Sequence, residues 1–281
     1  KIDGFLPTSH FAFLDEIFKA NSSILNSLLK ILNERKFNND TAIIEVPLIT
    51  CVGASNELPE EGLEALYDRF LLRYYVEDVH EGSNFVQMLK NPIDPMPKII
   101  SLDELNSAIE EVSEIPIPDP IYEKILEIRN QLQLEGIIPS ARRFKESLKI
   151  ARANAYLYGR DEVSVDDLEP LRYVMWSNPN QIQTINSVIL NIVNPYLNEA
   201  QELYDAIIDA YNQVINADED DKFTYATEAL QKITKATEKL KKIKESLENE
   251  GKSTDMIDDI IKKAEDVRIN KIAKDILKIT V

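Results

Sequence analysis

Seven glycines in 281 residues, where about 7% of a typical chain is glycine, leave few places for positive-φ turns and tight reversals. A chain so poor in turn formers is built mainly from long helices. Apolar residues make up 44% and charged residues 29%, enough to bury a core, and the length fits one large domain or two ordinary ones. The net charge of −17 repels phosphate backbones and anionic lipid head groups. That argues against general nucleic-acid binding and against a membrane-surface role. No apolar run approaches the roughly 20 residues of a membrane-spanning helix, and Cys51 stands alone, so no intramolecular disulfide can form. The composition reads as soluble and cytoplasmic. Lys1 to Ser9 has neither the basic flank nor the apolar stretch of a signal peptide, and the absence of an initial methionine reads as a truncated start.

The helical bias fails in the first 80 residues. Two short apolar runs, Phe11 to Leu14 and Pro47 to Val52, have the length and polar ends of buried strands and are expected side by side in a parallel sheet. Between them Ser23 to Asn33 carries apolar residues at helical spacing. Asn38-Asn39-Asp40 follows as a turn signal that could tip a hairpin running into Ile43 to Val46. Strand, helix, hairpin, strand is an α/β order. Residues 81–118 form a Pro-rich connector, with prolines at 92, 95, 97, 116 and 118 around one expected helix, Leu102 to Val112. Residues 119–177 then carry three short helices: Ile121 to Leu134, Ala141 to Tyr158, and Val165 to Trp176 with Ser164 as its N-cap.

From 178 to 281 the apolar residues fall at 3/4 spacing. Ile185, Ile189, Ile192, Tyr196, Leu203 and Ile207 form one set, Ala226, Leu230, Ile233, Thr237 and Leu240 a second, and Ile257, Ile261 and Ala264 a third. Three long amphipathic helices packed side by side, coiled-coil-like, are expected, with breaks at Asp218 to Asp221 and at Gly251. The cluster Lys239, Lys241, Lys242, Lys244 reads as solvated helix surface.

The chemistry is concentrated near the start. Phe11-Ala12-Phe13-Leu14 ending in Asp15-Glu16 is what an ATPase needs at the end of a central strand: one carboxylate to orient Mg²⁺ and its waters, a second to polarise the attacking water. Alone, the pattern is weak. The blocks Phe13 to Ala20, Leu28 to Arg35, Gly53 to Pro59 and Ala65 to Phe70, taken in order, resemble the MoxR family of AAA+ ATPases, and within it the RavA-like branch. The resemblance covers residues 1–80 tightly and 119–177 loosely.

That resemblance implies a partial AAA+ P-loop-type α/β core (1–80), the connector (81–118), an all-α lid bundle (119–177) and a three-helix extension (178–281). Asp15 and Glu16 become the Walker B pair, with Asp15 the Mg²⁺ and nucleotide ligand and Glu16 the catalytic base. Asn56 becomes sensor 1, holding the attacking water in line; the bland alternative is a turn former at a strand end. Arg69 matches the arginine finger, a planar charge offered to the neighbouring subunit's phosphate; the alternative is an ion pair with Asp68 or Glu64. In the lid, Pro139 to Phe144 offers Arg142 as the sensor 2 arginine, with Arg143 as the competing choice. The implied cofactors are ATP and Mg²⁺. The implied assembly is a homo-oligomeric ring, a hexamer, that remodels or matures client proteins, with a von Willebrand factor A domain protein as partner.

Two decoys and one absence qualify the resemblance. Gly251-Lys252-Ser253-Thr254 imitates the end of a phosphate loop, but Ser246 stands where the earlier glycine should be, and Glu248 and Glu250 would face the phosphates. His10, His80 and Cys51 offer no metal-ligand spacing. No Gly-x-x-x-x-Gly-Lys-[Ser/Thr] occurs in the 281 residues, so this chain by itself is not expected to bind ATP. The rival reading is a non-catalytic helical scaffold carrying a degenerate ATPase remnant. An MCM-like helicase relative is disfavoured by the charge and by the lack of a basic, aromatic-interleaved hairpin.

Overall fold

The structure is a computed structural model that describes residues 4–19, 22–39, 42–60, 62–79, 82–90, 99–249 and 254–279. His80, the prolines at 92, 95 and 97, the Asp40 turn position and the Gly251 to Ser253 decoy lie outside those residues. The chain divides into two compact units: one of residues 1–118, 137–163 and 170–182, the other of 119–136, 164–169 and 183–281.

In the first unit, strand β1 (Phe11–Leu14) pairs in parallel with β4 (Thr50–Gly53), Phe11 opposite Thr50 and Leu14 opposite Gly53. Helix α1 (Ser22–Glu34) and the antiparallel hairpin β2 (Lys36–Asn39) and β3 (Ala42–Glu45) form the connection, as their apolar spacing and turn signal foretell. Ile17, Leu25, Leu28 and Leu66 form one small core with Leu14 and Phe70, and Ile31, Val46 and Leu48 form another with Ala12 and Cys51. The expectation that both strands are buried is corrected. Phe11 is 56%, Phe13 67% and Val52 52% exposed, because successive side chains point to opposite faces and the face bearing Ala12, Leu14 and Cys51 is the one packed.

Helix α2 is a single turn, Glu64–Tyr67. Helix α3 (Gly82–Lys90) has no counterpart in the sequence expectation, whereas α4 (Leu102–Glu114) falls where the connector allows one and starts with a capping box between Ser101 and Glu104. Helix α6 (Ala141–Leu157) is capped by Ser140, whose hydroxyl accepts the Arg143 N–H at 3.2 Å.

The second unit contains α5 (Asp119–Leu134) and the long helices. The expected helix after Ser164 is a run of 3₁₀ turns, Val165–Tyr173, with Pro170 inside it; proline has no N–H to donate and its ring clashes with the i−4 carbonyl, which disfavours a continuous α-helix there. Ser164 stands just before the first turn, where its N–H and its hydroxyl both donate to the Asp167 carboxylate and its carbonyl accepts the Asp167 N–H. The first long helix expected in the tail is divided. Helix α7 (Ile182–Val193) ends at Asn194, which caps α8 (Pro195–Ile215) by accepting the Leu197 N–H, with Pro195 in the first helical position. Helices α9 (Glu219–Asn249) and α10 (Asp255–Asp266) follow, and α10 continues as a π-type helix, Val267–Ile276. One core unites α8, α9 and α10 through Ile207, Val214, Ala226, Ile233, Leu240, Leu247, Ile257 and Ile272. Two lysines of the basic cluster pair with α10: Lys241 with Glu265 at 2.7 Å and Lys244 with Asp258 at 2.6 Å.

Candidate functional site

The carboxyl ends of two parallel strands bring together residues 40 positions apart. The ladder continues past β1, with the Ala54 N–H donating to Leu14 O and the Ile17 N–H to Ala54 O. Between those bonds Glu16 is turned to φ 49°, a left-handed conformation uncommon for a residue with a Cβ and a frequent mark of functional positions. The turn aims its carboxylate at the end of β4, where Asn56 Nδ2 donates to Glu16 Oε1 at 3.2 Å. Lys19 Nζ meets the other oxygen, Oε2, at 3.0 Å and lies 3.9 Å from Glu57. Its pKa is raised first by the hydrogen bond to Glu16 and then by the charges of Glu16 and Glu57. Asp15 stays exposed, and its Oδ1 accepts the Glu16 N–H at 3.0 Å.

Gly53 makes the close approach on the other side of this corner. A Cβ there would meet the Phe70 ring at 3.1 Å and Ile17 Cδ1 at 3.4 Å, so its lack of a side chain lets the Asp68-Arg69-Phe70 segment seat against the strand end. Phe18 and Tyr67 add an edge-to-face contact, with ring centroids 5.7 Å apart.

Asp68, Arg69, Arg142 and Arg143 occupy different situations. Asp68 pairs with Arg143, Nε to Oδ1 at 2.8 Å, and with Arg73 at 3.8 Å, and Glu64 accepts the Gly62 N–H. Arg69 Nε is buried and has no hydrogen-bond partner among the described residues. The Arg69 guanidinium is held below its ordinary pKa by burial first and the Arg142 charge second, partly offset by Asp68 and Glu146. Arg142 is exposed on the first turn of α6, while Arg143 is 6% exposed and also donates to Ser177 Oγ at 2.8 Å and to the carbonyls of Met175 and Trp176.

Sequence reasoning missed Arg73. It is 6% exposed, lies 4.0 Å over the Tyr67 ring, and donates to the carbonyls of Tyr67, Val174 and Trp176. Burial, reinforced by the Arg143 charge, pulls its pKa down to about 10. The available signal was an arginine set in the apolar run Phe70-Leu71-Leu72-Arg73-Tyr74, a context that demands internal partners.

Parallel strands with carboxylates at their ends, followed by helices, agree with the AAA+ ATPase-like fold with a lid domain that the comparisons with known proteins show. Residues 1–94 match the family described as the MoxR domain in the MoxR-vWA-beta-propeller ternary systems, and residues 120–189 match the AAA lid domain. A crystal structure of a candidate ATPase from Cytophaga hutchinsonii superposes with a TM-score of 0.53 at 20% identity, covering 66% of each chain. The uncharacterised Methanocaldococcus jannaschii protein MJ0079 is 43% identical over 216 residues, which are 76% of this chain and 57% of MJ0079. A second uncharacterised protein of that organism, MJ0812, is 35% identical over 94% of this chain and 73% of its own length. The two family matches together support a MoxR-like AAA+ family for this chain. The chain spans little more than half the length of MJ0079.

Proposed function

We propose that this chain is the hydrolytic and sensing part of a MoxR-like ATPase that works as a homo-oligomeric ring, a hexamer, and couples ATP hydrolysis to the remodelling of client proteins. The observation that carries this reading is the meeting of Glu16 Oε1 and Asn56 Nδ2 at 3.2 Å, beyond the carboxyl ends of parallel strands, where open α/β sheets bind their ligands. The description of the matching family, drawn from ternary systems, supports a von Willebrand factor A domain protein as partner. Among the described residues no helix is long and apolar enough to cross a membrane.

The residues fit the chemistry. Mg²⁺ beside a nucleotide is commonly held by one or two carboxylates together with waters and phosphate oxygens, and Asp15 is exposed with Oδ1 engaged locally by the Glu16 N–H and Oδ2 as its second oxygen. The bound ion would neutralise charge on the phosphates. Glu16 is the base, with Oε2 receiving a proton from the attacking water once Lys19 moves off it. The Asn56 amide holds the Glu16 carboxylate in its left-handed turn and orients the same water. Arg69 supplies positive charge to the nucleotide of the next subunit. Arg142, on the exposed side of α6, suits the sensor 2 role better than Arg143, whose guanidinium is committed to Asp68 and Ser177.

Phosphate release from ATP by the full-length protein tests this reading. Mg²⁺-dependent release that is lost in Asp15→Asn supports it. Equal turnover by mutant and wild-type proteins would remove Asp15 and Glu16 from the site.

A further inference from the structure

Arg69 and Arg142 each have a sequence neighbour whose role is still unassigned, and those neighbours are bound to one another. Arg143 Nε donates to Asp68 Oδ1 at 2.8 Å, and Ser140 Oγ, the cap of α6, donates to Asp68 Oδ2 at 2.9 Å. Arg73 stands 3.8 Å from the same Oδ1. The side chains of Arg143, Arg73 and Asp68 are 7%, 4% and 22% exposed. Both arginines also reach the backbone of one short segment: Arg73 bonds the carbonyls of Val174 and Trp176, and Arg143 those of Met175 and Trp176. A further bond from the Arg73 N–H to Tyr173 O and one from Tyr67 Oη to Ser177 O complete the tie.

Buried ion pairs of this kind add little stability over apolar packing, since desolvation offsets their attraction. What they do fix is geometry. Locking Asp68 to Arg143 draws the adjoining residues, Arg69 and Arg142, to the same place. Two guanidiniums do not gather there by mutual attraction: the Arg142 charge lowers the Arg69 pKa.

The geometry points to Asp68 as a positioning residue: through Arg143, Ser140 and Arg73 it fixes the presentation of Arg69, with Arg142 beside it, to the segment 173–177. The orientation of the arginine that serves catalysis is then set through Arg73 and Arg143, which hold both Asp68 and the 173–177 segment. This inference rests on the ATPase reading above. A misplacement of about 1 Å can cost about 10²-fold in rate, which sets the size of the effect.

The experiment measures ATP turnover and thermal melting of the full-length protein with Asp68→Asn, Asp68→Glu, Arg69→Ala and the Asp68→Asn/Arg69→Ala double variant. Asparagine keeps the shape and the acceptor oxygen but removes the charge. The expected result is a kcat lowered by about 10²-fold with KM for ATP little changed, a melting temperature close to wild type and partial rescue by Asp68→Glu. The double variant should be no slower than Arg69→Ala alone, because both changes act through the same guanidinium. Losses that multiply in the double variant, or wild-type kcat in Asp68→Asn, overturn the positioning role while leaving the ATPase reading intact. If Asp68→Asn does not fold, Ser140→Ala removes one of the two bonds to the carboxylate. Its smaller loss should likewise vanish in the Arg69→Ala background, and persistence of that loss overturns the role. A wild-type protein that releases no phosphate overturns both.

Discussion

The two compact units solve different problems with the same side chains. In the helical unit regularity prevails: Ala226, Ala229, Ile233, Leu240, Ile243 and Leu247 of α9 are buried along one face, and charges such as Lys241 and Lys244 pair with Glu265 and Asp258 rather than entering the core. In the unit that carries the strands, rules are broken around one corner. Glu16 stands at positive φ, Phe11 and Phe13 are exposed, and Arg73 and Arg143 are buried. Local exceptions of this kind cost stability and persist where function or a surrounding network requires them. On the function proposed above, the chemistry falls at this irregular corner and not on the long helices.

The largest expected effect breaks the irregular corner. Arg69→Ala should lower turnover by about 10³- to 10⁵-fold, the contribution of an arginine finger, while ATP affinity at a single site stays nearly unchanged. Mixing Arg69→Ala with Glu16→Gln subunits should recover some activity at interfaces that combine an intact Glu16 with an intact Arg69. Wild-type turnover by Arg69→Ala in an assembled ring would reduce it to a structural arginine. On the regular side, Leu240→Ala removes a fully buried side chain and should cost about 2–5 kcal/mol of stability, read by melting. The same protein should keep its turnover below that transition, and a specific loss of turnover in folded protein would blur the division between the units.

Gly53→Ala sits between the two regimes. Its Cβ would press on the Phe70 ring, so overpacking of about 1–3 kcal/mol should come with a modest fall in kcat as the segment bearing Arg69 shifts. Destabilisation with unchanged kcat would show that the Phe70 contact does not set Arg69. The smallest effect is electrostatic. The Asp258 pKa is lowered, chiefly by the hydrogen bond from Lys244, so its contribution to stability is present above the ordinary aspartate pKa and is lost as pH falls through the depressed one. Asp258→Asn should remove that acid-side dependence of melting and leave neutral-pH melting little changed, as expected of an exposed pair.

Much of this was legible because it is written in local spacing. The β1 and β4 runs, helix α1, the hairpin and the apolar face of α9 need only periodicity and turn chemistry to be seen. The break at Asn194 was hidden because Ile192 and Tyr196 keep their 3/4 spacing across it, although Asn194-Pro195 is a helix-start signal. The 3₁₀ course of Val165–Tyr173 departs from the α-helix that its spacing suggests, and Pro170 inside the segment is the local signal for that departure. Within the site, Asp15, Glu16 and Asn56 could be picked out by type and place. The left-handed turn of Glu16 and the Lys19 contact could not, since both are set by packing and by the paired strands. Nor could the Arg143 pairing with Asp68, across 75 residues, be seen in the sequence, since it exists only in three dimensions.

Nucleotide binding and hydrolysis by Glu16→Gln in the full-length protein, measured together, test the central claim most directly. Glutamine is isosteric with glutamate and can still accept from Asn56, but it cannot take a proton from water. The account predicts wild-type ATP affinity with phosphate release abolished. Phosphate release at the wild-type rate, or loss of ATP binding with the fold intact, would contradict it.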